Sequence, residues 1–255
     1  HLPIVKAYAD KIGLVEAVNQ VVSHEIFCDM DVEPGITTLA LVLDTLSGRS
    51  PLYLLSAFLE QQDRELLLGK DLPSEAFNDD NVGRTLDKLH EAGTMKIFTE
   101  CALRACKAFG VEGKYVHFDT TSKSVYGNYL ADEDSPPPFL ITHGYSKDKR
   151  PDLKQFLFSL LCVDRDVPIL GGIEDGNSSD KKVNNKVLSQ LSSVMAKHGL
   201  EPGSYIYIAD SALLNEENLN EKGGTFFITR LPATYGECSR VITEAVDKGD
   251  WEDVG

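Results

Sequence analysis

The sequence predicts an all-helical domain followed by a mixed sheet with flanking helices. Three observations predict it. Apolar residues recur at spacings of three and four from Leu2 to about Gly110. After Gly113 the period changes to two or to short buried runs. From there the elements read strand, strand, strand, helix, strand, helix, strand. At 255 residues the chain exceeds the roughly 100 to 150 of a usual single domain, so each half has room for its own core. The domains are therefore 1–112, helical, and 113–255, built on the sheet.

The helical half carries its own punctuation. Ile12, Val15, Val18 and Val22 share one stripe, and Leu39, Val42, Leu43 and Leu46 another. Ser50 before Pro51 reads as an N-cap with proline at the first helical position, and Asn78 or Asp79 caps the segment through Leu89. Gly93 ends that helix, Thr94 is placed to cap the next, and Phe109 and Gly110 close it. Four to six helices in a bundle result. Helix, short turn and helix between Asp79 and Phe109 also describe a DNA-reading motif. A plain antiparallel pair is preferred, because the second helix offers only Lys96, Arg104 and Lys107 as cations.

In the second half Lys114–Asp119 is the first strand, and residues 130–138 (LADEDSPPP) are an acidic, proline-rich loop. Leu153–Val163 and Pro168–Ile173 flank the turn Asp164-Arg165-Asp166 as an antiparallel hairpin. Lys181–His198 is a helix with Val183, Val187, Leu188, Leu191 and Val194 on its apolar stripe, stopped by Gly199. Tyr205–Asp210 is a strand, Asn215–Lys222 a short helix and Thr225–Arg230 a strand. Helical crossovers make the later strands parallel neighbours, which is a ribonuclease-H-like path.

Composition narrows the function. No run approaches the roughly 18 apolar residues of a membrane helix, and charges interrupt the N-terminal stretch where a signal peptide needs apolar continuity, so a cytoplasmic protein is expected. A formal charge of −15 repels nucleic acid at long range, which argues against a protein that coats DNA indiscriminately. Cys28, Cys101, Cys106, Cys162 and Cys238 lack the paired spacing of a zinc site and read as reduced, mostly buried thiols.

Two carboxylates end strands: Asp119 closes KYVHFD and Asp210 closes YIYIAD. Open sheets bind ligands beyond the carboxyl ends of their strands. If the first and fourth strands are parallel neighbours, both groups project at one edge, where two ionised carboxylates repel unless a divalent cation, most often Mg²⁺, lies between them. Paired ions of this kind activate a nucleophile and stabilise the leaving oxygen of a phosphodiester. Either aspartate alone is more simply a turn cap; two in matching places favour a site. The run THGYSKDKRPDLKQ gathers Lys147, Lys149, Arg150 and Lys154, cations able to face phosphates, although Asp148 and Asp152 offset half of their charge. In DGNSSDKK, Asn177 or Ser178 could hold an anion at a helix start, but capping by Ser179 and Asp180 suffices.

The strings HFDTTS, HGYSKDKRPDLKQF, DGNSSDK, IADSAL and FITRLPAT, in this order, resemble the DDE transposases of the insertion-sequence-four superfamily over residues 114 to about 235. The helical half is similar to the domain of unknown function that precedes the catalytic domain in one branch of that family. The resemblance implies Mg²⁺ (or Mn²⁺) held by Asp119 and Asp210 as the first and second catalytic aspartates. It further implies cleavage and joining of DNA at insertion-sequence ends and at a target, and a possible homodimer. Family members complete the triad with a glutamate on a downstream helix, in a tyrosine-arginine-glutamate-lysine pattern. That pattern is not found before Gly255, and Glu237, Glu244 and Glu252 read as acidic surface. The chain thus resembles a transposase truncated before its third carboxylate. The alternatives are a non-catalytic DNA-binding or protein-interaction remnant and a hydrolytic nuclease of the same fold.

Overall fold

A computed structural model of the chain describes residues 1–23, 30–130, 137–146, 148–179, 182–183, 186–187, 193, 195–196, 199, 201, 203–210 and 226–252. Two units emerge, His1–Glu112 and Gly113–Gly255. In the first, every regular element among the described residues is helical: α1 (Leu2–Ile12), α2 (Leu14–Val22), α3 (Pro34–Thr45), α4 (Leu55–Glu60), α5 (Arg64–Leu68), α6 (Asp79–Ala92) and α7 (Thr94–Phe109), with 3-10 turns at Leu52–Leu54 and Ser74–Phe77. Ile36, Leu39, Leu43, Leu55, Leu59 and Phe77 are buried together in its core.

Glycine breaks the first apolar run. Gly13, at φ 64°, ends α1 and begins α2, so the stripe through Ile12, Val15 and Val18 spans two helices. Asn78 caps α6 by accepting from the Asn81 N–H at 3.0 Å. Two expected caps are corrected. Ser50 does not start a helix; its N–H donates to the Asp44 carboxylate at 3.0 Å, and Pro51 precedes a 3-10 turn. Thr94 is already helical, with Gly93 (φ 95°) in the cap position.

The crossing of α2 and α3 is the tightest joint in this unit. The Gly35 N–H, an orphan donor at the start of α3, donates to Asn19 Oδ1 at 2.8 Å. Asn19 Nδ2 donates to Glu33 Oε2 at 2.8 Å, and Lys70 Nζ donates to Glu33 Oε1 at 2.7 Å. A Cβ on Gly35 would stand 2.4 Å from the Val15 carbonyl oxygen, a backbone atom that cannot swing aside. Gly35→Ala is therefore expected to lower stability by about 1–3 kcal/mol, the usual overpacking cost, read as a lower urea midpoint. An unchanged midpoint would show that the two helices separate without penalty.

The second unit is a five-stranded sheet in the order β3-β2-β1-β4-β5: β1 (Tyr115–Val125), β2 (Lys154–Val163), β3 (Val167–Glu174), β4 (Ile206–Ala209) and β5 (Phe226–Thr229). β2 is antiparallel to both β1 and β3, and β1, β4 and β5 run parallel. This order and these directions are the ribonuclease-H-like arrangement that the sequence predicts. The hairpin turns at Asp164–Asp166, where Arg165 and Asp166 take positive φ. On the inner face Val116, Phe118 and Tyr207 are buried, with the Phe118 and Tyr207 rings stacked at 6.4 Å.

The described residues between 182 and 196 are helical; Val183, Val187 and Met195 among them are buried, and Gly199 turns at φ 73°. Leu188, Leu191, Val194 and the expected helix Asn215–Lys222 lie outside the described residues. After β5 comes α8 (Gly236–Lys248), which buries no residue. Of the four described cysteines only Cys106 is buried, a correction to the expectation of mostly buried thiols; all four are free.

Candidate functional site

β1 is nearly twice as long as its pattern suggests. Asp119 does not close it: the strand runs six residues further, because β2 lies alongside in unbroken antiparallel register from His117↔Cys162 to Val125↔Lys154. Thr120 and Ser122, which read as the start of a loop, alternate inward and are buried. Asp119 therefore sits mid-strand on the outward face, between His117 and Thr121 and opposite Leu160. β4, in contrast, stops at Ala209, and Asp210 leaves it directly.

The β1–β4 ladder ends two residues before each carboxylate. β1 and β4 pair as Tyr115↔Ile206, Val116↔Tyr207 and His117↔Ile208. Continued by two residues, that register would set Asp119 against Asp210, which itself lies just beyond β4. Partners on parallel strands share a face, and neighbouring strands lie about 4.8 Å apart. Both aspartates are exposed, so the shared edge opens to solvent. One oxygen of Asp119 accepts from the Thr120 N–H at 2.7 Å, and the Asp210 carbonyl accepts from Thr229 Oγ1 at 2.6 Å, which ties its backbone to β5. Burial pushes the Tyr207 phenol well up, and the negative charge of Asp210 pushes it in the same direction.

Two exposed carboxylates are hard oxygen donors of the kind Mg²⁺ or Mn²⁺ takes, with water able to fill the remaining positions. As donors, each suits a divalent cation. Among the described residues no group of three or more His, Cys, Asp or Glu is placed to hold a metal ion. Glu237 and Glu244 instead pair with Arg240 on the exposed α8.

The basic run lies elsewhere. Lys154 pairs with Val125 at the far end of β1, six residues from Asp119, or roughly 20 Å along the strand. Arg150 donates to both oxygens of Asp152, at 2.9 and 2.7 Å, and to the Tyr126 hydroxyl at 3.4 Å. These hydrogen bonds hold the Asp152 carboxyl below its ordinary range, and the Arg150 guanidinium above its own. The pair is therefore complete above the ordinary carboxylate range and lost only as pH falls through the lowered Asp152 value. Lys154 Nζ donates to the backbone carbonyls of Asn128 and Tyr129. Lys149 is exposed, with φ 58°. Lys147 lies outside the described residues. Two of the cations expected to meet phosphate are thus engaged in local bonds.

Sequence reasoning missed the residue that shapes this run. Gln155 is buried, and its Nε2 donates to the carbonyls of Tyr145 (3.1 Å) and Gly176 (2.8 Å). Thr142 and Gln155 exchange backbone hydrogen bonds beside it. At the start of the adjoining helix Ser179 Oγ accepts from the Lys182 N–H at 3.5 Å, the simpler capping role.

Residues 1–103 match the domain of unknown function DUF4277. No curated protein matches the chain. Among solved structures, the Mos1 transposase paired-end complex with left transposon end aligns over 80% of this chain and 73% of that one, at 12% identity and a TM-score of 0.31. That likeness is too distant to bear on function. No helix among the described residues is long and apolar enough to cross a membrane.

Proposed function

We propose that the chain is the catalytic portion of a DNA transposase of the insertion-sequence-four superfamily, acting on insertion-sequence ends and a target in the cytoplasm. The observation that supports the reading is the parallel pairing of β1 with β4, whose register, continued by two residues, would set the exposed Asp119 and Asp210 side by side. The DUF4277 match supports it, because it falls on the half that resembles the domain preceding the catalytic domain in that family.

In this reading Asp119 and Asp210 hold Mg²⁺, or Mn²⁺. The bound ion supplies Lewis-acid stabilisation of the phosphodiester's oxygens and activates a hydroxyl nucleophile. The protein's own part is to fix the two carboxylates at one edge. Strand pairing sets their spacing, the Thr120 N–H orients one oxygen of Asp119, and Thr229 anchors Asp210.

Calorimetric titration with Mn²⁺ tests the site. Saturable binding lost in both Asp119→Asn and Asp210→Asn is expected; binding that survives both substitutions refutes it. Incubation with DNA flanking the chain's own reading frame then separates transposase from nuclease. Joined products support the proposal, and nicking without joining replaces it with a hydrolytic enzyme.

A further inference from the structure

The far end of the β1–β2 pair displays three tyrosines to solvent: Tyr126 is 74% exposed, Tyr129 45% and Tyr145 88%. They come from two segments brought together by the fold. Tyr126 and Tyr129 lie in the turn after β1, and Tyr145 lies in the loop before β2, joined to the sheet by the hydrogen bond from Gln155 to its carbonyl. Ser124 Oγ, donating to Asp148 at 3.5 Å, links the two segments again.

Tyr126 and Tyr129 are held as well as exposed. Arg150, itself clamped by Asp152, lies 5.9 Å from the centre of the Tyr126 ring and bonds its hydroxyl. Lys154 ties down the carbonyls of Asn128 and Tyr129. Gly127, at φ 141°, lets the Tyr129 ring lie against the backbone, where a Cβ would stand 2.7 Å from its Cε2. Arg150 thus holds the Tyr126 ring, and Lys154 the backbone at Tyr129. From Lys123 to Lys154 the sequence balances five cations against five carboxylates, in a chain whose formal charge is −15.

Open aromatic faces in a stretch that lacks the chain's acidic excess suit unpaired bases, since every base has a face to stack. We infer that Tyr126, Tyr129 and Tyr145 form a stacking platform for single-stranded DNA at the end of the β1–β2 pair remote from Asp119. In a transposase the occupant is a frayed or nicked strand. This inference rests on the DNA reading above but not on the metal site.

The test uses the full chain and a fluorescent oligo-dT of about 20 nucleotides, longer than the 4–16 that a typical single-strand site covers. Anisotropy is read at low salt with Ca²⁺. Tyr145→Ala and Tyr126→Ala are each expected to weaken binding by about 5- to 150-fold, the range for loss of one base–aromatic stack. Tyr145→Phe, which keeps the ring, should stay within about twofold, as exposed substitutions usually do. Since Tyr145 is almost fully exposed, its loss leaves folding intact, checked by circular dichroism. Equal affinity in the alanine variants, equal binding of an abasic oligomer or a blunt duplex, or no binding of oligo-dT overturns the platform. None of these results touches the Mn²⁺ titration, on which the transposase reading stands or falls separately.

Discussion

Asp119→Asn is expected to stop metal-dependent cleavage while leaving the fold untouched. The side chain is exposed and its one described bond accepts the Thr120 N–H, which an amide oxygen also accepts, so stability should move by no more than about 0.5 kcal/mol. What changes is charge. Removing one of two anionic donors weakens the hold on a hard dication, and several kcal/mol of transition-state stabilisation go with it, a rate loss on the order of 10³ or more. Asp210→Asn should match it if, as proposed, both carboxylates hold one ion. The double variant should be little worse than either single one, as residues acting on one ion behave as a unit. DNA affinity measured without metal should hold or rise, since a repulsive carboxylate has gone. Cleavage persisting in either single variant, or falling in one alone, would remove the shared-ion mechanism.

The order of the strands was legible because short apolar runs separated by helical stretches are a local signal. The second half of β1 was not legible. Thr120, Thr121, Ser122 and Ser124 look like a loop by composition, and only pairing with β2, some forty residues later, makes them a strand. Serine carries little β-preference and two threonines alone are too short a signal, so the partner strand decides. The Arg150 bonds were hidden for a related reason. Whether residues i and i+2 pair depends on the local backbone, and here Lys149 at φ 58° precedes the pair. Spacing alone gave Arg150 and Asp152 as offsetting charges, which is true of their sum but not of their geometry. The described glutamates of α8 lie in exposed ion pairs with Arg240.

Gly176→Ala should be the most damaging single methyl group in the sheet unit. A Cβ there would stand 2.0 Å from the Gln155 carbonyl oxygen and 2.6 Å from that of Thr142, both fixed in the backbone bridge. No side-chain rotation relieves such contacts, so the bridge must open. With it go the reciprocal Thr142–Gln155 bonds at 3.1 and 2.9 Å, the Gly176 N–H bond to the Leu140 carbonyl and the Gln155 Nε2 bond to Gly176. Overpacking plus several lost hydrogen bonds amounts to about 2–5 kcal/mol, read as a fall in the urea midpoint. Gly144→Ala meets the same joint from the other side, its Cβ 1.9 Å from the Gly176 carbonyl oxygen. The two substitutions share that contact, so their effects should be less than additive in the double variant. Mn²⁺ binding at Asp119 is the discriminating control. The bridge adjoins Ser124, which pairs with Gln155 five residues along β1 from Asp119, and the β1–β4 ladder lies at the opposite end of the strand. A folded Gly176→Ala protein should therefore lose oligo-dT binding, because Tyr145 loses the bond to its carbonyl, yet retain the metal. Loss of both at once would mean that the bridge supports the whole sheet rather than the loop it pins.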